Sequence, residues 1–256
     1  VCVREAAEKL GIKIGENLAT DPFPVEAVST DENAEYSGYH RIEGYKCVLT
    51  IDIETNIPLV GEVIGINEND VEKLIPHIRD VKSSGMKPKN HWVDGNFTST
   101  EIIAKAEMCE NVHLHYRIEK DWVYHPEASN EKLKREYQKY HKEPDFLVGA
   151  HHDFMMRYLV EKGNYDVVGN ILRNERMAEY EEAPDSYLDD YHQRNRSESI
   201  NNHLANNLQT RLRVNRKGKE TVESSLCLSI LTLLAVAFVK LLNGIKTNLV
   251  SLDGLV

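Results

Sequence analysis

Cysteine is scarce and scattered. Cys2, Cys47, Cys109 and Cys227 are the four in 256 residues, and no two of them form a Cys-x2-Cys pair. That spacing argues against a zinc finger or ribbon and offers no disulfide framework, so a reducing cytoplasm suits the chain. A signal peptide is missing as well, because the opening VCVREAAEKLGIK is a mixed-charge amphipathic stretch. The first residue is Val1, as in a fragment or a start codon read as Val. Internal repeats and low-complexity tracts are absent. One long apolar run, SSLCLSILTLLAVAFV from Ser224 to Val239, falls at or below the short end of what a bilayer needs and is followed by Lys240. It predicts a helix buried on all sides and no membrane partner.

What is present is ordinary for a globular protein: 41% hydrophobic and 28% charged residues. A chain of this length buries roughly three quarters of its unfolded surface, so a real core is expected. The net charge of −10 is unevenly spread. Tyr191 to Lys219 holds seven Lys or Arg against one Glu, a net +6 that leaves −16 on the remainder. Just upstream, Glu179, Glu181, Glu182, Asp185, Asp189 and Asp190 form an acidic run. A basic strip on an acidic body confines a polyanion to one track.

The residue pattern reads as a mixed α/β chain. Val48 to Ile53 and Pro58 to Ile66, separated by Glu54-Thr55-Asn56, predict a β-hairpin. Asn69 caps a helix over Asp70 to Asp80 with Val71, Leu74, Ile75 and Ile78 on one face. A strand over His91 to Asp94 turns at Gly95 into a second helix, with Thr98 and Glu101 spaced as a capping box. Val112 to Ile118 predicts another strand. From about Glu119 to Pro184 the pattern turns helical, through SNEKLKREYQKYHK and HHDFMMRYLVEK, which marks an insertion. A long helix over Asp185 to about Leu212 follows, then the apolar helix. The predicted organisation is a core in two parts, 1–118 and 185–256, interrupted by a helical insertion over 119–184.

The long helix carries the most informative spacing in the chain. Tyr191, Arg194 and Glu198, three and four residues apart, share one helix face and can meet a single ligand. Arg211, Arg213, Arg216 and Lys217 follow, with Arg196 beside the motif, and suit a phosphate backbone. Asp94 closes a short apolar strand, and carboxylates at strand ends in such sheets often face a shared crevice. Asp21 is expected to end an earlier strand, since Pro22 and Pro24 lack ladder donors. Two carboxylates about 4 Å apart repel by roughly 4 kcal/mol at an effective dielectric near 20, so a cluster of Asp21, Asp94 and Glu198 would require a cation. Mg²⁺, with Mn²⁺ as its substitute, fits an all-oxygen set; Zn²⁺ normally takes His or Cys.

In order and surroundings these blocks resemble the DDE transposases of prokaryotic insertion sequences. DPFPVEAVSTDENAEYSGYHRIEGYK is similar to the family's first-Asp block, and TIDIETNIPLVGEVIGINENDVEKLIP to the hairpin that follows. WVDGNFTS is similar to the second-Asp block, and YHQRNRSE, followed by RLRV and an apolar helix, to the final-Glu block. The resemblance covers about Asp21 to Leu242. It implies a ribonuclease H-like fold, with a mixed sheet flanked by helices and a helical insertion before the last catalytic helix. It implies metal-dependent cleavage and transfer of DNA strands, with Asp21, Asp94 and Glu198 as catalytic metal ligands. Tyr191 and Arg194 would contact DNA, and a homodimer would act on element ends and target. Two positions depart from the family pattern: Ala205 stands where a Lys is expected, and Pro22 follows the first Asp.

Three alternatives remain at this level. A truncated, inactive DNA-binding relic of the same fold is one. A membrane-associated protein anchored by Ser224 to Val239 is another. The third is a histidine metal site at His113-x-His115 with His151-His152, although two ligands on a strand face do not make a site.

Overall fold

A computed structural model describes residues 2–28, 30–118, 126–139, 152–204 and 217–251. The chain comprises two compact units, Val1–Trp92 with Gln193–Val256, and Val93–His192.

The first unit is built on a sheet. After helix α1 (Cys2–Lys9) come strands β1 (Asn17–Glu26), β2 (Glu35–Ser37), β3 (Ile42–Asp52) and β4 (Pro58–Gly65), then helix α2 (Leu74–Ser83) and strand β5 (Asn90–Val93). The spatial order is β2-β3-β1-β5, and β4 also pairs with β3. The expected hairpin is present, antiparallel with Tyr45 opposite Gly65 and Ile51 opposite Pro58. Its turn is held by Asp52, whose carboxylate accepts from the Thr55 amide at 2.9 Å, the Thr55 hydroxyl at 2.6 Å and the Gly15 amide at 2.8 Å. Asn56 supplies the left-handed residue at φ 58°.

β3 is buried along nearly its whole length, so it is covered on both faces. One face carries Cys47, Leu49 and Ile51, clustered with Ala19, Phe23, Val63 and side chains of the two C-terminal helices described next. The other face meets α2, where Leu74, Ile75, Ile78 and Val81 are buried. α2 is preceded by a 3-10 turn, Asp70–Lys73, capped by the Asn69 side chain. The expected helix is therefore present, but its first turn is tighter: Pro76 has no N–H to give the carbonyl of Glu72. Helices α8 (Asn195–Asn202) and α9 (Lys219–Leu242) complete this unit. α8 packs on β1 and β3, and α9 on β4 and α1.

Two expectations fail here. Asp21 does not end a strand; β1 runs on to Glu26, pairing Pro22 with Val48 and Pro24 with Lys46. The two prolines share strand parity, so their missing donors fall on the edge away from β3 and the ladder survives. Nor is α9 buried on all sides. Leu228 and Leu242 are each 66% exposed and Leu231 59%, while the opposite face is covered. By length and composition alone α9 could cross a membrane.

The second unit is mainly helical. The helix expected after Gly95 starts one residue late. Asp94 caps a 3-10 turn, Gly95–Phe97, and Thr98 is consumed as that turn's C-cap. Ser99 then caps α3 (Thr100–Ala104), its hydroxyl accepting from the Ile102 amide at 3.3 Å. A π-helical turn, Lys105–Cys109, extends it. Strand β6 covers only His113–His115 of the predicted Val112–Ile118. Then follow α4 (Pro126–Gln138), α5 (His152–Glu161), α6 (Tyr165–Glu182) and α7 (Pro184–Tyr191). α6 crosses α3 closely: a Cβ at Gly169 would lie 2.1 Å from the Thr100 carbonyl oxygen, so only glycine fits. The single long helix expected from Asp185 is broken. α7 ends at Tyr191, His192–Arg194 form a 3-10 turn, and α8 begins at Asn195. The rest of that span, 205–212, lies outside the described residues.

The mixed sheet with flanking helices is an α/β, ribonuclease H-like fold, with helices α4 to α6 inserted before the helix that carries Glu198.

Candidate active site

α8 docks on β1 through an uncharged inner side, with Ser197, Ile200 and Asn201 buried. This docking brings the polar residues at its start onto the middle of β1. Arg194 Nη1 lies 2.9 Å from Asp21 Oδ1, across 173 residues of sequence. Its other nitrogen, Nη2, lies 2.5 Å from Glu198 Oε1, four residues on. One guanidinium therefore joins two of the three predicted acids. Asn201 adds a third contact, Nδ2 donating to Asp21 Oδ2 at 2.8 Å. The Ser197 hydroxyl fastens the turn by donating to the Arg194 carbonyl at 2.7 Å. Arg194 and Asp21 are mostly shielded, with 14% and 16% of their side chains exposed, whereas Glu198 keeps 48%.

Behind Asp21 runs a buried polar chain. Thr20 Oγ1 is 2.7 Å from His91 Nε2 and 2.5 Å from Thr50 Oγ1, which is 2.8 Å from His77 Nδ1. The bonds tie β5, β1, β3 and α2 together beside the acid. Burial holds the His77 pKa below its ordinary value, so the imidazole is neutral there.

Asp94 belongs to the second unit. It is half-buried, and its Oδ1 accepts from the Gly95 amide at 2.8 Å. Tyr191 closes α7 in the same unit. Among the described residues no group of three or more His, Cys, Asp or Glu is arranged to hold a metal ion. Asp21 and Glu198, joined through Arg194, offer only hard oxygen donors and already draw a cation, a donor set that suits a hard divalent ion.

Of the predicted DNA-contacting residues, Arg196 is exposed, with Nη1 donating to the Ile53 carbonyl at 2.8 Å. Lys217 is exposed next to an anchored position: the Gly218 amide donates to Asp31 Oδ2 at 2.6 Å. Asp31 also accepts from the Tyr45 hydroxyl at 3.0 Å. Burial works to raise the Asp31 pKa, but these donors and the Asn33 amide outweigh it and hold the carboxyl below its usual range. Arg211, Arg213, Arg216 and Ala205 lie outside the described residues.

The histidine reading finds no support at β6. His113 Nδ1 faces Arg176 Nη2 at 2.5 Å, and a guanidinium only donates, so that nitrogen is an acceptor and a metal ion there would meet a fixed positive charge. His115 Nδ1 is engaged 2.6 Å from Asp190 Oδ2. His151 is outside the described residues.

Sequence reasoning overlooked Asn201 and the Thr20–Thr50 chain. Asn201 was detectable, since it extends the 194, 198 spacing to 201 on the same helix face. The threonines had no local signal, because their bonds join strands distant in sequence.

A family model described as a transposase DDE domain matches residues 15–235. The chain belongs to the transposase DDE domain family. No curated protein and no solved structure gives a significant match. In this DDE-type transposase domain, Asp21 on β1 and Glu198 beside it on α8 are held by one guanidinium.

Proposed function

We propose that this domain cleaves and transfers DNA strands in the transposition of an insertion sequence, with Asp21, Asp94 and Glu198 as its acidic set. The observation that carries the reading is the single guanidinium shared by Asp21 and Glu198. Folding has brought these acids to one cation, as a site for a divalent ion requires. Asp21, Asp94 and Glu198 would hold Mg²⁺ or Mn²⁺, which when bound activates water or a 3′-hydroxyl and stabilises the leaving oxygen of an in-line phosphoryl displacement. Asn201 keeps Asp21 Oδ2 oriented, while Oδ1, held by Arg194 in the metal-free protein, would turn to the ion. Arg194, released from the acids, offers two parallel N–H donors suited to a DNA phosphate. Tyr191, Arg196, Arg211, Arg213, Arg216 and Lys217 would contact DNA, and the domain would act in the cytoplasm as a homodimer on paired element ends.

A second reading, an inactive DNA-binding relic, draws on a specific observation as well. Arg194 already neutralises both acids, and Ala205 replaces the family's lysine. The deciding experiment incubates the protein and its Glu198→Gln variant with DNA carrying candidate element ends, in Mg²⁺ and in Mn²⁺. Metal-dependent cleavage that vanishes in the variant supports the enzyme. Salt-sensitive binding with no cleavage by either protein supports the relic.

A further inference from the structure

Three hydrogen bonds join four buried side chains across the sheet, and they all form only if the protons run one way. Thr20 of β1 stands directly opposite Thr50 of β3, with the hydroxyl oxygens 2.5 Å apart. Each oxygen also meets a ring nitrogen, Thr20 at 2.7 Å from His91 Nε2 and Thr50 at 2.8 Å from His77 Nδ1. Thr20, Thr50 and His91 are fully enclosed and His77 nearly so, and a bond left unmade in such a place has no water to replace it. Two hydroxyls supply two protons for three bonds, so a ring must supply the third. If both rings donated, one hydroxyl proton would have no acceptor in the chain; if neither did, one bond would be lost. One ring therefore donates and the other accepts, and the protons point either from β5 towards α2 or from α2 towards β5. Glu62 of β4 separates the two cases. Its Oε2 lies 3.8 Å from His77 Nε2, a buried nitrogen with no hydrogen-bond partner among the described residues, and Lys73 holds its Oε1 at 2.8 Å. That separation is too long for a hydrogen bond, yet across it a lone pair would repel the carboxylate and an N–H would attract it. The neutral His77 ring therefore carries its proton on Nε2 and accepts at Nδ1. Thr50 then donates to His77, Thr20 donates to Thr50, and His91 donates from Nε2.

We propose that Glu62, acting through His77, sets the direction of this chain, and that Glu62, His77 and Thr50 are positioning residues for the strand that carries Asp21. Successive residues of a strand face opposite sides of the sheet. Asp21 turns to Arg194 and Asn201 of α8, while its neighbour Thr20 is tied to β3 and β5 from the other side. Reversal would move the His77 proton from Nε2 to Nδ1, turn both hydroxyls and move the His91 proton from Nε2 to Nδ1, so the two rings change form together. During that exchange all three bonds are remade and β1 loses its side-chain tie to β5. A single enforced direction keeps the tie closed. The bearing on catalysis rests on the proposed acidic set; the direction of the chain does not.

The test reads ring tautomers in the isotope-labelled full chain by proton–nitrogen correlation NMR at neutral pH, with the signals assigned through His77→Gln and His91→Gln. Both rings are expected with the proton on Nε2. Glu62→Lys places a donor opposite His77 Nε2 and should carry both rings to the Nδ1–H form. Glu62→Ala, which only removes the charge, should shift both the same way and by less, and it serves if the lysine variant does not fold. Thr50→Val cuts the chain, so in that background a change at residue 62 should move His77 alone; Thr50→Ser keeps the hydroxyl and should keep the two rings coupled. In cleavage assays Thr50→Val should be about tenfold slower than the wild type, the low end for losing a group that supports a metal ligand from behind, and Thr50→Ser should recover most of the rate. A wild-type His77 with its proton on Nδ1 would overturn the proposal, as would a His91 tautomer indifferent to residue 62 or a Thr50→Val variant that cleaves as fast as the wild type. A wild type that cleaves no DNA would count against the proposed function alone, because the tautomers are read without DNA or metal.

Discussion

Arg194 is the residue on which the candidate site turns, because its guanidinium supplies to Asp21 and Glu198 the positive charge that the proposed divalent ion would supply. Its two nitrogens satisfy Asp21 and Glu198 together. A mostly shielded carboxylate that loses its cation is costly, so Arg194→Gln should destabilise the metal-free protein by about 1–3 kcal/mol. The same change removes the competitor for the acids, so Mn²⁺ should raise the melting temperature of the variant more than that of the wild type. A ligand at a hundred times its Kd contributes about 2.7 kcal/mol, enough to offset the lost ion pair. Thermal melts of both proteins with and without Mn²⁺ measure this. If Mn²⁺ moves neither curve, the acids do not form a metal site. Half of this geometry was visible in the sequence. The 194, 198 spacing is a local property of a helix and survives the change from 3-10 to α, whereas the meeting with Asp21 depends on α8 settling across β1. Asp21 was singled out because the surrounding prolines pointed to a strand end, which parity makes unnecessary.

At the level of elements, the readable features were those set by short-range chemistry. The β3–β4 hairpin and α2 were legible because alternation, turn residues and an Asn cap act within a few positions. The capping residue at Ser99 and the break at His192–Arg194 were not, because each depends on how a neighbouring turn uses the backbone. β6 illustrates a further limit: its histidines alternate as ligands on a strand would, and the partner that decides their state, Arg176, lies on α6, 63 residues away. Burial, then the Arg176 guanidinium and His115, push the His113 pKa from 6.5 down to about 3. The sign follows from the two states. Above pH 6.5 the ring is neutral whether folded or unfolded, and no stability is lost. Below it the unfolded chain takes up a proton that the folded unit refuses, so stability falls as pH drops toward about 3. The melting temperature should therefore decline between pH 6.5 and 4, and the decline should be shallower in His113→Gln, whose amide oxygen still accepts from Arg176. An equal slope in both proteins would show that His113 keeps its ordinary pKa when folded.

For the whole molecule, charge sets what the domain can bind. A net charge of −10 repels DNA at long range, so the proposed binding would run through the positive stretch of sequence between Tyr191 and Lys219. Each phosphate neutralised on duplex DNA contributes about −0.9 to the slope of log K against log salt. If Arg196, Arg211, Arg213, Arg216 and Lys217 each reach a phosphate, the slope should be roughly −4 to −5. Changing Arg213 and Arg216 to Gln should then make it shallower by about 2, with affinity falling alike on every sequence, because phosphate contacts carry no base readout. Fluorescence anisotropy of a labelled duplex across a salt series provides the measurement. A slope unchanged by the double substitution would move the DNA track elsewhere on the protein, while one near zero would remove duplex DNA as the polyanion. The acidic run from Glu179 to Asp190 sharpens the expectation. It stands immediately before the basic strip in sequence, so weakening the strip by two charges leaves repulsion in control and should cost more affinity at low salt than at high.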